Sequence, residues 1–246
     1  MHLGLHLLTP SAPSAAITMS AVPSAVLFDI DGTLFDSDVL HYDVFRQVLV
    51  EEGFNDGTPI TERFFREKIS GRSNIDICAD LFPLKSAPEA AAFSALKERR
   101  FRALAECRLS SLITPGLEAL LEWISAAGVA SAAVTNAPRA NAELMLRAIG
   151  RLEWFDALVI GEECEHAKPH PEPYLVAMRR LGVEPSRCVA LEDSPSGARA
   201  AVAAGVRTIG VLSSQPASVL AAEGCEVLVK DFRDAQLWDA LGVPPP

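Results

Sequence analysis

The chain has little that would favour a disulfide framework, a zinc site or a membrane span. Its five cysteines are widely spaced, none stands in a CxxC pair, and their total is odd. This usage is typical of a reducing compartment, and we interpret the cysteines as small core residues. The sequence has no apolar run near the roughly 18 residues that would predict a transmembrane helix. We therefore expect a cytoplasmic protein with no membrane partner.

Positive charge is also scarce, which argues against a nucleic-acid partner. The sequence has 32 Asp and Glu residues against 22 Lys and Arg residues, for a net charge of -10. Nucleic-acid binding requires clustered Lys and Arg. This acidity does not favour an anionic substrate either. A phosphate site would therefore need positive charge placed locally, from a metal ion or a single Lys.

Residues 1–24 contain no Lys, Arg, Asp or Glu and are rich in Ala, Ser and Pro. The apolar stretch 3–8 is too short for a secretory signal and lacks its basic flank, and a transit peptide should carry Arg. We interpret residues 1–24 as a disordered lead-in. If they are the remnant of a targeting segment, an organelle such as the plastid is the alternative location.

The rest of the chain alternates apolar strands with helices, apart from one block. The pattern predicts helices and no strand over residues 38–113. Strands alternating with helices imply right-handed crossovers and a doubly wound, Rossmann-like parallel sheet. We predict an α/β core of residues 25–37 and 114–246, with an inserted helical cap domain at 38–113. The predicted strands are 25–28, 130–134, 157–160, 188–191, 206–211 and 226–229.

Polar side chains stand just beyond the apolar strands of this predicted sheet. Because the carboxyl ends of parallel strands meet at one edge, we expect these side chains to lie together. Carboxylates leaving a buried strand need a cation, hydrogen bonds or a raised pKa. Taken singly, each site also fits a turn, a helix cap or a solvated loop residue. The side chains are Asp29, Asp31, Thr135, Asn136, Lys168, Glu192 and Asp193.

Four stretches, DIDGTLFDSD, VTNA, KPHPEPY and EDSPSG, resemble in order the four motifs of the haloacid dehalogenase (HAD) superfamily. The resemblance implies a phosphatase in which Asp29 attacks phosphorus and forms an aspartyl-phosphate. It assigns general acid/base catalysis to Asp31 and charge neutralisation to Lys168. Thr135 would donate to the transferring phosphoryl group, with Asn136 as a second donor to the substrate.

The same resemblance implies Mg²⁺ as the cofactor. Its ligands would be Asp29, the backbone carbonyl of Asp31 and Asp193, with Glu192 bound directly or through water. Hard oxygen ligands plus a substrate phosphate suit an octahedral ion that keeps some of its waters.

The cap would select the leaving group, because the core would hold only the phosphoryl group. The candidates are His41, Gly71, Arg72 and Asn74. By position, Arg72 and Asn74 resemble the specificity loop of β-phosphoglucomutase-like members, and Gly71 would let the backbone approach a ligand closely. The alternatives are that His41 is a packing residue and that Arg72 is a solvated charge.

Longer stretches, among them VLFDIDGTLFDSD, AAVTNAPRANAELM and ECEHAKPHPEPYL, are similar to the plant broad-range sugar-phosphate phosphatases. That similarity implies hydrolysis of several small sugar and polyol phosphates, and we expect a monomer. A β-phosphoglucomutase-like mutase and a phosphoglycolate phosphatase remain alternatives. A non-catalytic binding protein is disfavoured because Asp29, Asp31, Lys168 and Asp193 are all present. A haloacid dehalogenase is disfavoured because cleaving a carbon–halogen bond needs no metal and no second Asp.

Overall fold

The computed structural model describes residues 22–246, and its centre is a parallel sheet of six strands. The strands are β1 (Ala25–Phe28), β2 (Ala130–Thr135), β3 (Ala157–Ile160), β4 (Cys188–Glu192), β5 (Arg207–Val211) and β6 (Val227–Val229). Their order across the sheet is β3-β2-β1-β4-β5-β6, and every neighbouring pair is parallel. This topology confirms the predicted doubly wound α/β fold.

Strand β1 lies in the middle of the sheet, between β2 and β4, and all of its residues are fully buried. Val26 and Phe28 pack in the apolar cluster on one face, and Ala25 and Leu27 pack in the cluster on the other. Two buried faces explain why β1 is a continuous apolar run and not an alternating one. The carboxylates that follow β1 therefore emerge from the buried centre of the sheet.

Six helices accompany the strands and cover both faces of the sheet. They are α5 (Leu117–Ala127), α6 (Arg139–Ala148), α7 (Glu172–Leu181), α8 (Pro195–Ala203), α9 (Ala217–Ala222) and α10 (Ala235–Leu241). Helices α5, α6 and α10 pack in the cluster that contains Phe28, whereas α7 and α8 pack in the cluster that contains Leu27. The sequence pattern predicts helices at 117–127, 141–149, 171–181 and 196–204, which correspond to the first four, but it does not predict α9 and α10. Those two have only six and seven residues, too few for a helical period to be recognised.

Residues 38–113, here called the cap segment, form four helices and two single 3₁₀ turns. The helices are α1 (Asp38–Glu51), α2 (Glu62–Lys68), α3 (Asn74–Leu81) and α4 (Ala87–Arg108). The structure, which describes this whole range, has no strand within it, as predicted. Rings of Phe45, Phe65 and Phe93 pack between the helices. The division of the chain into a core and a separate cap domain stays a prediction.

The two crossings between the sheet and the cap segment are bonded to each other. The backbone N–H of Asp36 donates to the Leu112 carbonyl over 2.8 Å, and that of Thr114 donates to the Leu34 carbonyl over 3.0 Å. The Thr114 hydroxyl donates to the Thr33 carbonyl over 2.7 Å. The chain therefore leaves and re-enters the sheet layer at one place.

Ser24, just before the first predicted strand, already bonds to the neighbouring strands. The Ser24 N–H donates to the Arg187 carbonyl over 2.7 Å, and the Ser24 carbonyl accepts from the Ala130 N–H over 3.0 Å. Both contacts continue the ladder of β1. Of the predicted lead-in 1–24, residues 1–21 lie outside the described residues.

The cysteines bear out only part of their interpretation. All five are free thiols, as expected. Cys78, Cys188 and Cys225 are buried and Cys164 is half-buried, but Cys107 near the end of α4 is exposed, so its interpretation as a core residue is wrong. Among the described residues, none of the helices combines the length and apolarity needed to cross a bilayer.

Helix α10 yields a prediction on stability. Trp238 is among the largest fully buried side chains, and its Nε1 donates to the Phe232 carbonyl over 3.0 Å. We expect Trp238→Ala to lower the free energy of unfolding by about 3–5 kcal/mol because it leaves a cavity. Urea denaturation measures this loss. Leu84→Ala, at a side chain that is 97% exposed, is the control and should change stability by less than about 0.5 kcal/mol. Equal stability of the two variants would show that α10 does not belong to the core.

Candidate active site

Three buried carboxylates meet at the carboxyl edge of the sheet. Asp29 follows β1, and its N–H donates to the Leu191 carbonyl over 3.0 Å, which holds it in register with β4. Glu192 ends β4 and Asp193 follows it. Each of the three side chains offers an oxygen within 4.8 Å of the other two. Because β1 and β4 are neighbours, the sheet itself brings together the first and fourth sequence motifs.

Lys168 lies inside this group of carboxylates. Its Nζ donates to Asp29 Oδ1 over 2.8 Å, to Glu192 Oε1 over 2.6 Å and to the Val134 carbonyl over 2.6 Å. These contacts use all three ammonium donors. Burial acts to lower the pKa of Lys168, but the carboxylates of Asp29 and Glu192 outweigh it and raise that pKa. The ammonium is therefore kept charged in a desolvated place.

The charges of the site do not balance. Desolvation raises the pKa of Asp29 to about 8, although Lys168 acts against the shift. Burial, together with the charges of Asp29 and Glu192, raises the pKa of Asp193 well above its ordinary range. Three carboxylates face one ammonium, so a bound divalent cation would offset the remaining repulsion. An all-oxygen donor set of this kind fits Mg²⁺.

Glycines and hydroxyl groups hold the carboxylates of Glu192 and Asp193 in place. Gly32 has φ +77°, and a Cβ there would lie 2.0 Å from Asp193 Oδ2. The Ser214 hydroxyl donates to the same Oδ2 over 2.6 Å. Glu192 accepts at Oε1 from the Tyr174 hydroxyl over 2.6 Å, and a Cβ on Gly197 would lie 1.9 Å from that oxygen. Much of the hydrogen-bonding capacity of Glu192 is thus used by protein groups.

Sequence reasoning did not identify Ser214 as part of the site. Ser213 and Ser214 follow β5, the strand next to β4. The Ser213 hydroxyl donates to the Gly32 carbonyl over 2.5 Å. The rule that grouped the other polar residues, position just beyond a strand end, would have found both serines.

The Asp31 carboxylate lies apart from the three buried carboxylates and next to the cap segment. Its Oδ1 accepts from the Ser37 hydroxyl over 2.8 Å and lies 2.9 Å from His41 Nε2. The His41 ring stacks on Phe101 of α4, with ring centroids 4.2 Å apart. Burial acts to raise the pKa of Asp31, but the contacts with His41 and Ser37 outweigh it and lower that pKa. The predicted acid/base role of Asp31 and the predicted metal contact through its carbonyl stay predictions.

Thr135 and Asn136 end β2 beside Lys168. Thr135 is buried, and its Oγ1 accepts from the Ala137 N–H over 2.9 Å, as in a turn closed by a Ser or Thr hydroxyl. Both polar atoms of the Asn136 amide contact the backbone of Lys168. The predicted contacts of Thr135 and Asn136 with substrate stay predictions.

The loop before α3 reaches the sheet edge, but Arg72 does not extend toward the carboxylates. Gly71 has φ +74°, and a Cβ there would lie 3.3 Å from Ser194 Cβ. The Arg72 guanidinium donates to the Lys68 and Asp76 carbonyls and to Asp80 Oδ2, all within the cap segment. The predicted substrate contacts of Gly71 and Arg72, like that of His41, stay predictions.

The fourth cap candidate, Asn74, belongs to a buried polar cluster that sequence reasoning missed. Glu98 accepts from Asn74 Nδ2 over 2.5 Å, from Lys97 Nζ over 2.8 Å and from Asn141 Nδ2 over 2.5 Å. Asn141 lies on α6, and its Oδ1 accepts from Arg102 Nη1 over 2.9 Å. An amide of the sheet layer is therefore held between two side chains one turn apart on α4. No local sequence signal distinguishes Lys97 and Glu98 from the other charged residues of α4.

Comparison with known proteins identifies a family and several relatives of this chain. The haloacid dehalogenase-like hydrolase family matches residues 23–205. A phosphorylated carbohydrates phosphatase from Thermotoga maritima is 33% identical over 211 residues, covering 84% of this chain and 94% of that protein. A phosphoglycolate phosphatase from Xylella fastidiosa is 34% identical over 202 residues, covering 81% of this chain and 85% of that protein. Among solved structures, a variant of CbbY from Rhodobacter sphaeroides in complex with xylulose-(1,5)bisphosphate has a TM-score of 0.74 at 29% identity, covering 87% of this chain and 96% of that one.

The family match runs from just before β1 to just beyond α8, and so includes the cap segment. All four motifs that predicted a shared site fall within it, at the sheet edge where Asp29, Lys168 and Asp193 gather. Relatives at 33% and 34% identity cover more than four-fifths of the sequence. The chain belongs to the haloacid dehalogenase-like hydrolase family.

Proposed function

We propose that this protein is a Mg²⁺-dependent phosphatase that hydrolyses small sugar and polyol phosphate monoesters with broad specificity. The observation that carries the proposal is the buried ion pair of Lys168 with Asp29, beside Asp193 and apart from Asp31. It supplies a nucleophile, a fixed positive charge and a separate acid/base group at one edge. The names of the Thermotoga and Xylella relatives support a phosphomonoester substrate.

The residues divide the work of hydrolysis in two steps. In the first, an Asp29 oxygen forms a bond to phosphorus while the bond from phosphorus to the leaving oxygen breaks, and Asp31 gives that oxygen its proton. In the second, Asp31 takes a proton from water, which attacks the aspartyl-phosphate and releases inorganic phosphate. Lys168 neutralises charge on the phosphoryl oxygens throughout, and the Thr135 hydroxyl donates a hydrogen bond to them.

Asp29 and Asp193 would hold the Mg²⁺ ion, together with the Asp31 carbonyl and with Glu192 directly or through water. When bound, the ion would neutralise phosphoryl charge and orient the group for in-line attack. The fit rests on the buried all-oxygen donor set of the site.

The nucleophile is tested by Asp29→Asn. We expect turnover of p-nitrophenyl phosphate to fall by on the order of 10⁴-fold or more, because the amide cannot form the phosphoenzyme. Circular dichroism should show that the variant keeps its fold. Asp239→Asn, at an exposed position on α10, is the matched control and should keep normal turnover. Substantial turnover by Asp29→Asn would remove the covalent step from the mechanism.

The metal is tested by its effect on thermal stability at two pH values. Burial raises the pKa of both Asp29 and Asp193, so at pH 6 their protons compete with a metal ion. We therefore expect Mg²⁺ to raise Tm more at pH 8 than at pH 6, and Asp193→Asn to lose most of this shift. A shift that is equal at both pH values, or that survives in Asp193→Asn, would place the ion elsewhere. EDTA should stop phosphate release and Mg²⁺ should restore it.

The substrate class is tested by phosphate release from glycerol, glycolate, pentose and hexose phosphates. We expect several sugar and polyol phosphates to have kcat/KM values within about 100-fold of one another. An enzyme that contacts few groups of the substrate beyond its phosphate discriminates weakly between substrates. A strong preference for phosphoglycolate alone would favour a phosphoglycolate phosphatase. Interconversion of glucose phosphates without stoichiometric phosphate release would favour the mutase.

A further inference from the structure

We infer that Asn136 is a positioning residue that holds Lys168 by the backbone of that lysine. Its Nδ2 donates to the Lys168 carbonyl over 2.9 Å, and its Oδ1 accepts from the Lys168 N–H over 3.1 Å. One side-chain amide thus pairs with both backbone groups of a single residue. The inference rests on the proposed phosphatase activity for one of its two readouts.

Lys168 needs this support because of where it lies in the chain. It stands in the loop between β3 and α7, and within residues 22–246 neither its N–H nor its carbonyl bonds to another backbone group. Its side chain is nevertheless buried and bonded at three points. Buried backbone groups require partners, and Asn136 supplies both. The lysine is therefore fixed at its backbone by Asn136, which follows β2, and at its ammonium by residues of β2 and β4 and by Asp29 just after β1.

The Asn136 amide occupies space that is free only because residue 161 is a glycine. Gly161 follows β3, and a Cβ there would lie 2.4 Å from Asn136 Oδ1 and 3.2 Å from the Ala167 side chain. Glycine at position 161 therefore lets the amide reach the Lys168 backbone. The close approach of Gly161 is an observation separate from the two hydrogen bonds, and it concerns the same Asn136 amide.

Other contacts hold the same loop, but at a distance from the lysine. Glu172 accepts from the backbone N–H groups of Glu165 and His166, each over 2.9 Å. Arg139 donates to both oxygens of Glu163 at the surface. These contacts fix the course of the loop, whereas within residues 22–246 only Asn136 bonds to the backbone of Lys168. Loss of the Asn136 amide should therefore move the ammonium relative to Asp29 without unfolding the loop.

The test is a set of variants at Asn136, Gly161 and Lys168, assayed with p-nitrophenyl phosphate and Mg²⁺. We expect Asn136→Ala to lower kcat by roughly 10–100-fold, the usual effect of losing a group that orients a functional side chain. Gly161→Ala should lower kcat in the same direction. In the Asn136→Ala background, however, Gly161→Ala should lower kcat much less, because the Asn136 Oδ1 atom with which the added Cβ would clash is absent. Glu162→Gln, an exposed neighbour of Gly161, is the control and should match the wild type.

The lysine background separates positioning from direct substrate contact. If Asn136 acts through Lys168, Asn136→Ala should cause little further loss of kcat in Lys168→Ala. A full additional loss there would show that Asn136 contacts the substrate itself and would overturn the inference. Normal kcat in Asn136→Ala alone would overturn it as well.

A second readout does not depend on any activity. The free energy of unfolding of Asn136→Ala, Gly161→Ala and the double variant should be non-additive, because both changes act on one amide. Additive effects would overturn the inference. A wild-type protein that releases no phosphate would refute only the proposed function, and the stability cycle would still decide the role of Asn136.

Discussion

One ammonium shared between two buried carboxylates is the interaction on which this site depends. Lys168 bonds to Asp29 and Glu192 where all three side chains are almost fully buried. Removing one partner from such a pair typically costs 3–5 kcal/mol, because the other charge is left uncompensated. Two neighbouring side chains help to keep this arrangement in place. The Tyr174 hydroxyl donates to Glu192 and orients it, and the Asn136 amide bonds to the backbone of Lys168.

The sequence predicted the parts of the site that are anchored to strands. Asp29, Thr135 and Asp193 each stand at the end of an apolar run, and a parallel sheet must bring such ends to one edge. Lys168 is different, because it lies in a loop several residues beyond β3. No periodicity in the sequence indicates that the Lys168 side chain reaches Asp29 at the end of β1. Its place after a predicted strand put it at the same edge, but only the resemblance of its motif to a known family predicted that it neutralises charge there.

The contacts that the cap-segment helices make were beyond prediction. Glu98 looks like an ordinary charge on a solvated helix, yet it is buried against Asn141 of α6. The Arg72 guanidinium bonds to Asp80 within the cap segment, a contact that no local pattern indicated, and its predicted substrate contact stays a prediction. Both outcomes depend on how α3 and α4 pack, which is a tertiary property. Local patterns of charge and apolarity do not carry that information.

The two carboxylates of the first motif depend on different parts of the molecule. Asp29 is fixed by the sheet, through its backbone bond to β4 and its ion pair with Lys168. Asp31 is fixed by Ser37 and His41, on the crossing that leads into α1 and on α1 itself. His41 is in turn stacked on Phe101 of α4. A shift of the cap segment would therefore move the proposed acid/base group while the proposed nucleophile stayed in place.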